Sequence, residues 1–506
     1  MPSFSAVRSG STSKEKHTKG SNVMRQSLTG VPAQAQPGVA IRTPVNASAR
    51  PNHLYVLALC SVAALGGFLF GFDSGVINGA VHALSVAFGT NAAATGFAVA
   101  SVLLGCAVGA FGAGALANMI GRRPTMLFNA VLFLASAYAT GAARSAPAFI
   151  GWRIIGGLAI GAASVLAPMY ISEVAPAHLR GRLASLQQMA IVLGLFGAFL
   201  SNDLLAKLAG GAGAVLWLKE PAWRWMFWME SIPSAAFLIG TLLIPESPRY
   251  LIFAGKKEQA RQFFAKIGGD ADELVKQIEQ TLRGEHRPRL SDLIVPGTSR
   301  IATVVWVAIG LAAFQQFVGI NVIFYFGEVL WKAAGATEQS ALRINLLTGF
   351  VNILATIPAI ALIDKVGRKP LLLVGSAGMA LALGTMAVVF ATAGGGPGNP
   401  VLSHRAAIVG LTAANLYIVA FAVSWGPVMW VLLGEMFPNR LRGAALAVSG
   451  ATNWAANFLV TVTFLPLLRA LGLAGAYGLY TVAAAISLFF VWATVHETKG
   501  KTLEEM

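Results

Sequence analysis

Twelve stretches of about twenty mainly apolar residues recur along this chain, the length a helix needs to cross a bilayer core. They start near residues 54, 93, 124, 148, 184, 223, 302, 341, 370, 405, 443 and 474. No soluble fold buries that many continuous runs, so the expected class is an all-α integral membrane protein. Only 11% of the 506 residues are charged, against roughly 25% in a soluble domain. The formal charge of +16 invites a nucleic-acid partner, but Lys and Arg lie in short loops between the apolar runs, which is membrane patterning. Cys60 and Cys106 both fall inside such runs, so neither a disulfide framework nor a metal site can be built from them. A soluble enzyme, a DNA-binding protein and a disulfide scaffold are set aside, and no cofactor is expected.

With an even number of spans both termini share one side. The loops on that side hold 28 Lys/Arg, those on the other hold 8, and Arg153 falls inside a span. The positive-inside rule therefore places both termini in the cytoplasm. Residues 1–52 are rich in Ser, Thr, Gly, Pro and Ala, carry seven Lys/Arg and one acid, and lack an apolar signal core; they read as a disordered basic tail. Asn46-Ala47-Ser48 spells a glycosylation sequon there, and a cytoplasmic tail is not glycosylated. The expected division is the tail, an N-terminal six-helix bundle over 53–244, a cytoplasmic helical linker over 245–300, a C-terminal six-helix bundle over 301–495 and a short cytoplasmic tail over 496–506.

The two halves echo each other. "GRR" at 121–123 returns as "GRK" at 367–369; Glu173, Pro176, Arg180 and Gly181 return as Glu435, Pro438, Arg442 and Gly443; "PESPR" at 245–249 is answered by "HETKG" at 496–500. Each offset is close to half the chain, and a shift of six spans returns both copies to the same membrane face. This is a parallel tandem repeat, as in transporters built around a central site.

Charges inside spans cost roughly 2.5 to 3.5 kcal/mol each and need a reason. Asp73 lies deep in span one, which enters from the cytoplasm, while Arg153 and Glu230 lie early in spans four and six, which enter from outside. At about 1.5 Å per residue the three share one depth in the outer half of the bilayer. Two readings stay open for them: a static network that orients helices, or a proton exchange at Asp73 governed by its distance to Arg153.

"GGFLFGFDSGVING" (66–79), "RIIGGLAIGAASVLAPMYISEVAPAHLRGRLAS" (153–185), "PESPRYL" (245–251), "QQFVGINVIFY" (315–325), "DKVGRKPL" (364–371), "SWGPVMWVLLGEMFPNRLRG" (424–443) and "HETKGKTLEE" together resemble the sugar porter family of the major facilitator superfamily. The resemblance covers nearly all of 54–505 in order, and is strongest to bacterial proton-coupled sugar importers of the D-xylose symporter kind, with animal facilitative glucose transporters also similar. It implies the major facilitator fold, alternating access and a monosaccharide bound at mid-membrane. An acid at the place of Asp73 marks the family's proton symporters, and Arg153 and Glu230 fall where its partner Arg and Glu do. A multi-pass protein of a bacterial inner membrane, monomeric, is expected.

Sugars need side chains that both donate and accept, plus flat aromatic faces. The resemblance puts sugar ligands at Gln188, Gln315, Gln316, Asn321 and Trp430, with Asn352, Asn453, Trp454 and Gly426 as further contacts and Phe70 on the floor near Asp73. On a regular helix Gln316 and Asn321 would point some 140° apart at about 100° per residue, and Gly319 between them allows a break that aims both at one cavity. Gly426-Pro427 reads as a flexible gate in span ten, and Tyr325 as the outer gate.

A cytoplasmic lock is expected from Arg122, Arg123, Glu173, Arg180, Glu246, Arg249, Asp364, Arg368, Glu435, Arg442 and Glu497, as ion pairs between the bundles that break when the inside opens. Three departures from the family pattern stand out. Asn118-Met119 replaces an acid-base pair of the lock, Phe72 replaces a Tyr, and Leu195 replaces a sugar-binding Gln, which leans toward a hexose. The leading expectation is proton-coupled monosaccharide import; a facilitative uniporter, a polyol or inositol symporter and a sugar sensor are the alternatives. An integral membrane enzyme is disfavoured, because His82, His178, His404 and His496 all sit at membrane edges.

Overall fold

The computed structural model describes residues 52–176, 179–268, 270–283, 290–295, 298, 300–394 and 402–499. Residues 1–51 with the Asn46 sequon, and the side chains of Arg180 and Asp364, lie outside the described residues. Eleven described helices are long and apolar enough to cross a membrane: His53–Phe88, Ala92–Ile120, Arg122–Ala142, Ala146–Val174, Ser185–Ala209, Ala222–Leu243, Thr303–Ala333, Glu338–Ile363, Arg368–Ala391, His404–Glu435 and Leu441–Thr494. The last turns at Gly472 (φ 66°, ψ −176°) and so holds two crossings, giving the twelve spans the sequence predicts, numbered here in chain order.

Polar caps fix where the spans start. Asn52 accepts from the Tyr55 N–H at 3.0 Å, and Asn91, Ser145, Thr337 and Ser403 cap spans two, four, eight and ten in the same way, each satisfying an N–H that the helix leaves orphaned. Lateral packing depends on small residues, as expected where lipid removes any hydrophobic drive between helices. A Cβ on Gly157 would stand 1.9 Å from the Val102 carbonyl oxygen, binding span four to span two, and one on Gly71 would stand 1.9 Å from that of Ile191, binding span one to span five.

Three spans are broken, and the residues explain each break. The first part of span six ends at Met229 and that of span ten at Val423, each four residues before a proline, Pro233 and Pro427, whose missing N–H deletes the bond to that carbonyl. Span seven breaks at Gly319, whose φ of +83° is a left-handed conformation that costs other residues about 1–2 kcal/mol. Between spans six and seven run the short helices Pro248–Phe253, Lys257–Ile267 and Ala271–Arg283. Ala260, Phe263, Phe264 and Ile267 bury their apolar faces, and the Asn52 N–H donates to the Ile267 carbonyl at 3.3 Å, tying this linker to the start of span one. The face carrying the linker is called the linker face below, and the opposite one the far face.

Candidate functional site

Gly319 delivers what its position promises. With span seven broken there, Asn321 Nδ2 donates to Gln316 Oε1 at 2.7 Å, so the two amides that a straight helix would splay apart meet. The network continues: Gln316 Nε2 donates to Asn453 Oδ1 at 3.2 Å, Asn453 Nδ2 to Gln315 Oε1 at 2.7 Å, and Gln315 Nε2 to the Trp425 carbonyl at 2.9 Å beside the break in span ten. Gln315, Gln316, Asn352, Asn453 and Trp454 are buried. Gln188 is half-buried, whereas Trp430 is 44% exposed. The Trp454 ring lies 5.8 Å from that of Phe70. Four amides and two aromatic rings thus present paired donors and acceptors with flat apolar faces, the requirement for holding a polyhydroxylated ring.

Phe70 links this network to the charges. It lines a narrow pocket with Asp73, Ser74, Cys106, Arg153 and Tyr325. Arg153 Nη1 donates to Asp73 Oδ1 in an ion pair, and its guanidinium lies 5.9 Å from the Phe227 ring centre. Asp73, Arg153 and Glu230 are all buried. Glu230 occupies the break in span six made by Pro233 and, among the described residues, stands beyond ion-pair distance of Arg153, so two acids share one cation and only one is paired. Asp73 Oδ2 and Arg153 Nε keep no hydrogen-bond partner. Tyr325 lines this pocket beside Ser74, bringing the second half of the chain against the residue next to Asp73.

Toward the far face the halves are stitched together by a residue the sequence reading passed over. Asn78 Nδ2 donates to the Phe324 carbonyl at 2.9 Å, while its Oδ1 accepts from the Glu328 N–H at 3.0 Å and from Asn345 Nδ2 at 2.7 Å. Ala212 N–H donates to Glu338 Oε1 at 2.6 Å, and rings pair across the halves at Phe97–Phe458 and Phe196–Phe350. Asn78 and Asn345 are fully buried polar groups in apolar runs, which was the signal available for them. Leu195 packs against Gly75 of span one and Phe72 stacks on Phe68 at 6.2 Å; both departures from the family pattern are filled by packing.

On the linker face the sequence repeat becomes an atomic one. Arg122 binds Glu173 with Nε and Nη2 at 3.0 and 2.8 Å and the Ala117 carbonyl with Nη1 at 3.1 Å; Arg368 binds Glu435 at 3.0 and 2.7 Å and the Ile363 carbonyl at 3.2 Å. Glu246 accepts from the Arg122 and Arg123 N–H groups, and Glu497 from those of Arg368 and Lys369. Arg249 reaches Glu173 at 4.0 Å, and Arg442 Nη2 donates to the Phe437 carbonyl at 3.4 Å. Among the described pairs, Arg122 with Glu173 and Arg368 with Glu435 each lie within one half, and Arg249 of the linker reaches Glu173 of the first half. Arg122 and Arg368 open spans three and nine, and Glu173 and Glu435 lie at the linker-face ends of spans four and ten of the same halves.

Residues 59–506 match the Sugar (and other) transporter family. The chain is 53% identical to the glucose transport protein of Synechocystis over 90% of its own length and 97% of that protein, and 38% identical to the D-xylose-proton symporter of Escherichia coli over 90% and 96%. Among solved structures it is similar to the inward-open xylose transporter XylE of E. coli, with a TM-score of 0.76, 36% identity and coverage of 89% of this chain and 99% of that one. It is also similar to the same transporter bound to 6-bromo-6-deoxy-D-glucose, with a TM-score of 0.72 at 37% identity over 90% and 98%. The chain is a multi-pass membrane transporter of the sugar porter family in the major facilitator superfamily.

Proposed function

We propose that this chain imports a monosaccharide, a hexose of the glucose kind, together with a proton by alternating access. The observation that carries the reading is the buried Asp73–Arg153 pair, one pocket away from the Gln315–Gln316–Asn321–Asn453 network and with Glu230 near it as a second acid. Protonation of Asp73 removes the charge that holds Arg153, freeing it to turn to Glu230 at the break in span six. Asp73 and Arg153 stand on different helices of the first half, and Tyr325 connects that pair to the broken span seven. Loading of the proton and closure over the sugar therefore act on one set of contacts.

Sidedness follows from the charge count: the linker face, with 28 of the Lys and Arg residues, is the cytoplasmic one, of a bacterial plasma membrane. The far face is stitched through Asn78 and Asn345, in agreement with the chain's likeness to an inward-open relative. One chain holds the whole site, and a monomer suffices. Leu195, where a polar contact is lost, and the glucose-transporting relative both support a hexose over a pentose.

Counterflow in proteoliposomes loaded with glucose, xylose or inositol tests the substrate. Glucose is expected to exchange fastest, and Gln316→Ala to lower glucose exchange about five- to thirtyfold, because one or two hydrogen bonds of about 1 kcal/mol each are lost. Exchange of inositol with none of glucose would overturn the substrate reading.

A further inference from the structure

Glu328 is an acid in the membrane that the transport reading leaves unused. It lies in span seven, 1% exposed, and neither carboxylate oxygen has a hydrogen-bond partner. Lys332, one turn on, stands 3.4 Å away and is itself 27% exposed. The other titratable groups facing it are His82 at the end of span one and Glu338 at the start of span eight. The Glu328 N–H is one of the donors held by Asn78, so this carboxylate is built into the seal of the far face: when spans one and seven part, it must meet water, and when they close it is dried.

From this geometry we infer that Glu328 is a second proton-binding site, filled from the far side when the far face closes and emptied to the same side when it opens. A sealed carboxylate without hydrogen bonds carries a desolvation cost that a single lysine outside hydrogen-bonding geometry offsets only in part. One proton taken up on closure removes that cost. Because uptake and release occur on the same side, this proton biases the gate toward closure in acid without being carried across. Glu328 is a positioning residue for the gate, distinct from the Asp73 group, which faces the pocket.

The inference rests on the alternating-access reading, and its test needs no sugar. Spin labels at Ala87→Cys and Gln339→Cys, exposed ends of spans one and eight in a chain whose native Cys60 and Cys106 are buried, report the far-face distance in nanodiscs. Asp73→Asn in the background removes the other proton site. The ratio of open to closed far face is expected to rise with pH, by at most about tenfold per unit as for one proton. Glu328→Gln should hold the far face closed at every pH, Glu328→Asp should keep a pH dependence, and His82→Gln should leave it intact. An unchanged pH profile in Glu328→Gln, or its loss in His82→Gln, overturns the inference. If the distance titrates as expected while wild type exchanges no sugar, the transport reading falls and this one stands.

Discussion

Glu246 and Glu497 occupy equivalent places in the two halves, yet their surroundings drive their acidities in opposite directions. Burial raises Glu246 above the ordinary carboxylate value, against the N–H groups of Ser247, Arg123 and Arg122. Burial also raises Glu497, but the N–H donors of Arg368, Lys499, Lys369 and Thr498 outweigh it and hold the group below 4.5. A depressed acid contributes stability that is present above its unfolded value and lost as pH falls through the folded one, whereas a raised acid opposes folding while ionised. Glu497→Gln is therefore expected to lower the unfolding temperature at pH 7 more than Glu246→Gln does. The gap should close as pH falls below the ordinary carboxylate range and through the depressed value of Glu497; thermal unfolding in detergent across pH 3 to 8 checks this, and equal losses at pH 7 would contradict it. At this scale Asp73, Arg153 and Glu230 were legible because each interrupts an apolar run, while the sugar-site amides came from the family resemblance. Glu328 was not, since four residues before Lys332 it reads as an interfacial helix pair, and Asn78 and Asn345 were passed over because only the fold brings them together. Asp203 in span five, with Oδ1 unpartnered, was missed alongside them.

Breaks within spans, more than their ends, make the helices functional. Span starts were readable to within a few residues from apolarity, and the break at Gly319 from the angle between Gln316 and Asn321. The break at Glu230 follows from Pro233 by the same rule that applies to Pro427, and places an acid where the helix is interrupted. The second irregularity in span seven, at Phe326 (φ −120°, ψ 17°), has no residue-level signal; it comes from the contacts of Phe324 and Glu328 with Asn78. Gly319→Ala tests the hinge. A methyl there would stand 2.8 Å from Tyr480 Cγ on a backbone that disfavours it by about 1–2 kcal/mol, so glucose exchange should fall at least tenfold and the unfolding temperature should drop. Exchange at wild-type rates would show that the break does not depend on Gly319.

The repeat is the property of the whole molecule that governs the rest. The offset copies of Gly-Arg, Glu and Pro-Glu or His-Glu motifs pointed to a tandem repeat, and within the halves Arg122–Glu173 and Arg368–Glu435 agree to 0.1 Å in their paired contacts. What the sequence could not tell is the conformation: the same residues serve a closed or an open linker face, and it is the stitching of Asn78 to Phe324, Glu328 and Asn345 that reveals a sealed far face. Asn118 and Met119 are exposed on the linker face, where they break the symmetry. Asn118→Asp with Met119→Arg is expected to change the glucose exchange rate about two- to fivefold, since an exposed pair is worth about 0 to 1 kcal/mol; an unaltered rate would mean that the lost pair has no part in setting the conformational balance. The central claim is that Asp73 couples sugar movement to a proton, and glucose accumulation in proteoliposomes under an imposed proton force tests it most directly. A force of roughly 150 mV is worth about 3.5 kcal/mol, enough for roughly 300-fold accumulation. Wild type is expected to concentrate glucose toward that limit while Asp73→Asn only equilibrates it; equilibration alone in both proteins would make the chain a facilitator and the Asp73, Arg153 and Glu230 group a scaffold.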